Sequence, residues 1–339
     1  MKPLFTLMIA VLMFAQTART QTNDFYDDAP RIDLPPAALT IDGEVANPGQ
    51  VDFSVLPLRQ IVVKETAFDG ANGKFIGAYQ YEGYSLYDIL NSIELKKNDQ
   101  EEFPPIVDLY VVVENAAGEK VVLSWGELYY PIHRHEILIA SAVRRIVPSR
   151  TKDLWPLPET SKLVVASDLY TVRNISRPVK ITIRSSSKSF EIRRDLKDMY
   201  APQLTFKIGN EVKKVLSDKD SPAEPLVSYN WVFYGRGRGI HGTTPFTGMM
   251  MKDVTANFLK ITADDLKTAL VISVAPDGYR AIFTMSEIYN RNDQAEVLIV
   301  PMREIADQGG YLLYPAADYF SDRSIRCLSE LIFLQLSDL

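Results

Sequence analysis

Apolar and polar residues alternate with a period of two through several separated stretches of the chain, and this predicts a protein built mainly of strands. "VVVENAAGEKVVLSWGELY" (Val111 to Tyr129) is a branched apolar run, a polar turn at Gly118, a second apolar run and a Ser-x-x-Glu opening. It reads as a β-hairpin followed by a short capped segment. "VISVAPDGYRAIFTMSEIY" (Val271 to Tyr289) has the same layout, with Gly278 and Glu287 at the places of Gly118 and Glu127. "EILIA" from Glu136 and "EVLIV" from Glu296 predict buried strands by their branched content. "VKITI" and "LIFLQL" suit closing strands.

Other blocks match in the same order. "YEGYSLYDIL" (Tyr81 to Leu90) pairs with "FTGMMMKDVT" (Phe246 to Thr255), each predicting a helix after its Gly, over Leu86 to Ser92 and Met249 to Asn257. "VASDLYTVRNIS" pairs with "PAADYFSDRSIR", aligning Asp168 and Arg173 with Asp318 and Arg323. Collinear matches of this kind predict two homologous units, residues 36–185 and 202–339, joined by a Ser-rich and charged linker at 186–201. Strands with few helices and no alternating strand-helix units place both in the α+β class, as tandem β-rich domains.

The 339 residues, 46% hydrophobic and 24% charged, suffice for a substantial core. A net charge of -6 with no basic run argues against nucleic acid as a partner. Lys2 precedes an apolar run from Leu4 to Ala15 and then small and polar residues. This is the layout of a secretory signal peptide over residues 1–21, and it predicts a secreted or periplasmic protein with no membrane span after cleavage. The alternative is an uncleaved anchor. Cys327 is the single cysteine, which excludes an intramolecular disulfide and any cysteine-rich metal site.

The segments "LTIDGEVANPGQVDFSVLPLRQIVV", "GAYQYEGYSLYDIL", the Gly118 hairpin and "LVVASDLYTVRNISRPVKITI" resemble the sulfite-oxidase-like family, the oxidoreductase molybdopterin-binding domain. The likeness returns from "GIHGTTPFTGMMMKDV" onward, which implies two tandem divergent copies of the molybdopterin-binding-type domain. The family holds molybdenum partly through a cysteine thiolate upstream of the aromatic-x-Gly segment. Neither "LRQIVVKETAFDGANGKF" nor "LVSYNWVFYGRGRG" contains a cysteine. The resemblance therefore implies a non-redox ligand-binding or interaction module, with a small anionic or pterin-like ligand or a protein as partner. The alternative is a molybdopterin-dependent oxidoreductase with atypical metal ligation, and molybdopterin is the one cofactor the resemblance offers. A third reading is a structural pair of domains presenting a protein-binding surface.

"YGRGRGIHGTTPFTG" (Tyr234 to Gly248) is the one stretch with the composition of a binding loop. Gly237 to Gly242 spells G-x-G-x-x-G, yet Pro245 stands where a nucleotide-binding helix should already run. Arg236, Arg238, His241, Thr243 and Thr244 are instead candidates for holding a phosphate or carboxylate, since arginine forks and Gly-flanked amides suit such groups. The same loop can also be a plain turn with solvated arginines. His133 and His135 share a strand face beside Glu136, but two imidazoles do not make a metal site. The two Asp-x4-Arg pairs can be a ligand clamp, but their recurrence in different surroundings favours structural ion pairs or turn caps. No serine has a nucleophile setting, and no catalytic residue is assigned.

Overall fold

The computed structural model describes residues 29–338 apart from 71, 197, 198, 223, 238 and 303–308. The proposed signal segment and Arg238 thus lie outside the described residues. Among the described residues no helix is long and apolar enough to cross a membrane.

The chain is mostly β, with 43% strand and 12% helix, in four sheets arranged as a four-blade β-propeller. The first blade is built on the long hairpin Leu58–Phe68 and Gly73–Ser85, continued by Ile137–Arg145 and edged by Ile32–Asp33 and Lys162–Val165. In the second, Thr40–Gly43 runs parallel to Pro178–Ser185, which pairs antiparallel with Leu109–Asn115 and through it with Lys120–Ser124. The third has the same order: Gln203–Ile208 parallel to Glu330–Leu334, then Leu270–Val274 and Arg280–Thr284. The fourth runs Leu226–Tyr229, Phe246–Met250, Val297–Pro301 and Tyr311–Pro315. A separate two-stranded hairpin, Phe233–Gly235 with Gly239–Gly242, stands outside the blades.

This corrects the α+β expectation and the sulfite-oxidase-like tandem built on it. The helices are α1 (Leu86–Leu90), α2 (Trp125–Tyr129), α3 (Met251–Thr255), α4 (Ala263–Thr268) and α5 (Met285–Tyr289), none longer than six residues. They cap blade corners and form no layer. The architecture is counted in four blades rather than two α+β copies, and the matched blocks pair the first blade with the fourth and the second with the third. Period-two patterning cannot separate these cases, because it reports one buried face and not what lies against it. The predicted helix at Met249 begins two residues later, since Met249 and Met250 finish a strand paired to Ile299 and Leu298.

The strand Leu109–Asn115 shows why the core is continuous. Leu109, Val111 and Val113 pack with Leu123, Trp125 and Ile181 inside the second blade. Tyr110 and Val112 on its other face join Val122 against Leu270, Ile272, Ile282 and Ile332 of the third. Burial on both faces accounts for the unbroken apolar run, and each such side chain contributes about 1.5–3 kcal/mol. The matched glycines Gly83 and Gly248 mark close approaches. A Cβ would come within 2.2 Å of the Ile139 carbonyl oxygen at the first and 2.7 Å of the Ile299 carbonyl oxygen at the second.

Candidate functional site

The G-x-G-x-x-G stretch folds as a hairpin, with Tyr234 opposite Ile240 and Gly235 opposite Gly239. Gly239 takes φ +79 at the turn, a conformation that favours glycine. No helix follows; Pro245 leads into the strand Phe246–Met250. The Arg236 guanidinium binds Asp322 Oδ1 from Nε at 2.8 Å and from a terminal nitrogen at 2.7 Å, and lies 5.5 Å from the Tyr130 ring centre. His241 sits beside the Phe233 ring at 5.4 Å and over Gly235. The Thr244 carbonyl accepts the Trp231 indole N–H, and the side chains of Thr243 and Thr244 face solvent. The structure therefore brings Arg236 to Asp322, His241 to Phe233 and Thr244 to Trp231, and does not converge them on one point.

What the hairpin face does present is apolar. Ile240 is 60% exposed, Val232 61%, Ile132 59% and Tyr319 49%. Tyr234 pairs with Ile240 across the hairpin, and its ring centre lies 5.9 Å from that of Tyr319. The Ile132 amide reaches the Ala317 carbonyl beside it at 3.0 Å.

A second constellation joins the two halves of the chain. Arg173 grips both oxygens of Asp168 at 2.7 and 2.8 Å and reaches Glu127 at 2.9 Å. Arg323 grips Asp318 at 2.6 and 2.8 Å and Glu287 at 2.7 Å. The sets interlock, because Arg323 also donates to Ser124 at 3.1 Å and Arg173 to Thr284 at 3.4 Å. Ser124 and Thr284 cap α2 and α5 in boxes closed by Glu127 and Glu287. None of the six ionic side chains is more than 5% exposed. Burial raises Asp168, Asp318 and Glu127 above the usual carboxylate range despite the guanidinium charges. The Asp-x4-Arg pairs are thus structural ion pairs.

Beside this network a small cavity of about 20 Å3 opens between α1, α2 and the loop before Ile137. His135 lies at its edge in the left-handed region, φ +68. Its Nδ1 is 3.0 Å from the Ser85 hydroxyl and 3.4 Å from Asp88, which Arg59 braces at 2.9 Å. Ser85 is fully buried and caps α1, so it is no nucleophile. Burial lowers His135 against the pull of Asp88. Burial works to raise Asp88, but Arg59, Ser85 and His135 outweigh it and hold the carboxyl low.

A carboxyl held low contributes stability above its unfolded range, near pH 4, and loses it as pH falls through the lower folded value. Asp88→Asn is therefore expected to cost about 1 kcal/mol at pH 7, with the difference from the parent shrinking as pH falls below about 4. Urea midpoints across that range check it, and a pH-independent loss would count against the ionic role.

The residues do not fit molybdenum held by thiolate. Cys327 is fully buried at φ +53, its Sγ donates to the Met199 carbonyl at 3.2 Å, and burial raises the thiol. Among the described residues no three His, Cys, Asp or Glu side chains come together as a metal site.

No family model matches the chain, and no curated protein matches it. Among solved structures it is similar to the crystal structure of the sulfane dehydrogenase SoxCD from Paracoccus pantotrophus, at 9% identity and a TM-score of 0.31, over 86% of this chain and 77% of that one. A likeness that weak carries no cofactor or activity to this chain.

Sequence reasoning missed two features of the cavity. Ser85 and Asp88 have the spacing of a helix cap, which says nothing of the histidine that meets them from the sequence-distant loop. Glu127 reads as a capping residue, and its second role against Arg173 needs the fold.

Proposed function

We propose that the chain is a secreted or periplasmic, non-redox interaction module that binds an extended, acid-bearing segment of a partner protein on the hairpin face. The observation that carries this is the exposure of Tyr234 and Ile240, paired across the hairpin, beside the exposed Tyr319, a kind of apolar grouping that marks interaction sites. The Gly239–Gly242 strand has no second strand partner among the described residues, so its outer edge is open to strand addition. Arg236 supplies the charge complement to a carboxylate, with Asp322 as the group such a carboxylate would replace. His241, Thr243 and Thr244 form the polar rim. The sequestered Cys327 supports the non-redox part.

Selection of a random peptide library against the full chain is expected to return acidic, extended sequences whose binding falls at least tenfold in Arg236→Ala and in Ile240→Ser. Sequences without acidic enrichment, or binding indifferent to both variants, would overturn the reading. Metal analysis of protein made in a molybdenum-replete host checks the non-redox part, and stoichiometric molybdenum with pterin fluorescence after denaturation would sink it.

A further inference from the structure

Glu136 and Glu296 occupy equivalent places, each just before a buried strand, with its carbonyl accepting from the amide of Ala166 or Ala316. Glu296 is neutralised by the Lys252 ammonium, which comes from the second residue of α3. The second residue of α1 is Tyr87, so no ammonium reaches Glu136. Among the described residues the Glu136 side chain has no hydrogen bond or ion pair, and burial raises its carboxyl above the usual range.

Glu127 is deficient in the same place. Its Oε1 takes the Ser124 amide at 2.8 Å and Arg173 at 2.9 Å, whereas its Oε2 has no hydrogen-bond partner among the described residues. The side chain is 5% exposed and lines the cavity that Glu136 also lines. In the other half both Glu287 oxygens are engaged, one by Arg323 and one by the Thr284 amide. A carboxylate oxygen without a donor can accept one from a group that enters the cavity.

The two arginines nearby hydrogen-bond to other groups, although Arg291 and His133 act on Glu136 through their charge. Arg291 is bound by both oxygens of Asp293, and Arg134 lies over the Tyr87 ring at 5.4 Å and donates to its hydroxyl at 3.2 Å. His133 and His135 complete the wall. A volume of about 20 Å3 is enough to admit a group the size of water or of an ammonium nitrogen.

From these placements we infer that the cavity binds a primary ammonium group, with Glu127 and Glu136 as its acceptors. The site stands where the protein's own Lys252 stands in the other half.

Thermal melting and calorimetry of the full chain at pH 8 test it, comparing methylammonium chloride with sodium chloride and tetramethylammonium chloride at equal ionic strength. Methylammonium alone is expected to raise the melting temperature saturably, since a ligand specific for the native state stabilises it. Glu136→Gln is expected to weaken methylammonium at least tenfold, while Glu296→Gln leaves its affinity unchanged. Tyr87→Lys supplies the missing ammonium from within and is expected to abolish the response, a result that does not depend on how well Glu136→Gln folds. No saturable rise beyond sodium chloride, an equal rise with tetramethylammonium, or an undiminished response in Tyr87→Lys would each overturn the assignment.

Discussion

Arg173→Met is expected to cost the fold about 3–5 kcal/mol, the loss typical of removing one partner from a buried ionic network. The arginine is 1% exposed and faces Asp168 and Glu127 at 2.7–2.9 Å, so its removal leaves two carboxylates in a dry interior with no cation between them. They answer by taking up protons, and the loss grows as pH rises, because ionising them without Arg173 is what the interior opposes. Glu127→Gln introduced together with Arg173→Met removes one of the stranded charges and is expected to restore part of the stability. Guanidinium denaturation of the parent, both single variants and the double variant measures the coupling. A loss below about 1 kcal/mol for Arg173→Met would show that the network is compensated from elsewhere.

Gly126→Ala is expected to destabilise by about 3 kcal/mol, against the gain of about 1 kcal/mol that helix propensity alone would give. Gly126 is in α2, and a Cβ there would lie 2.2–2.4 Å from three atoms of the Arg323 side chain. That guanidinium has nowhere to go. Asp318, Glu287 and Ser124 hold its nitrogens, and the Phe283 ring lies 4.4 Å from its central carbon. The matching position in α5 is Ser286, whose hydroxyl donates to the Leu266 carbonyl at 2.7 Å, so a side chain is accommodated there. In an Arg323→Met background, whose side chain is flexible, Gly126→Ala is expected to cost much less. Thermal melts of the four proteins decide the point.

Much of this was legible in the chain's pattern. The hairpins at Gly118 and Gly278, the capped segments opened by Ser124 and Thr284, the buried strands after Glu136 and Glu296, and the Asp-x4-Arg ion pairs follow from spacing and residue type. The class was not legible. A strand buried on one face against a helix and a strand buried against another sheet carry the same alternation, so four blades looked like an α+β pair. Composition made the Tyr234 to Gly248 stretch look like an anion loop. Asp322, which occupies Arg236, lies far along the chain and carries no local signal. The cavity was the least legible, because its meaning rests on an absence: Tyr87 stands where its counterpart is Lys252, and only the fold shows which carboxylate that leaves unanswered.

The interlocked arginines have a consequence for how the molecule can be divided. Arg323 completes its bonding on Ser124, Arg173 on Thr284, and the backbone of Asp168 meets Arg291 while that of Asp318 meets Pro131. Each half thus carries the key to the other's lock. A cut in the connecting segment yields two fragments with complementary unmet valences, and the natural use of such a pair is as a reporter that regains its fold only when two attached proteins bring the halves together.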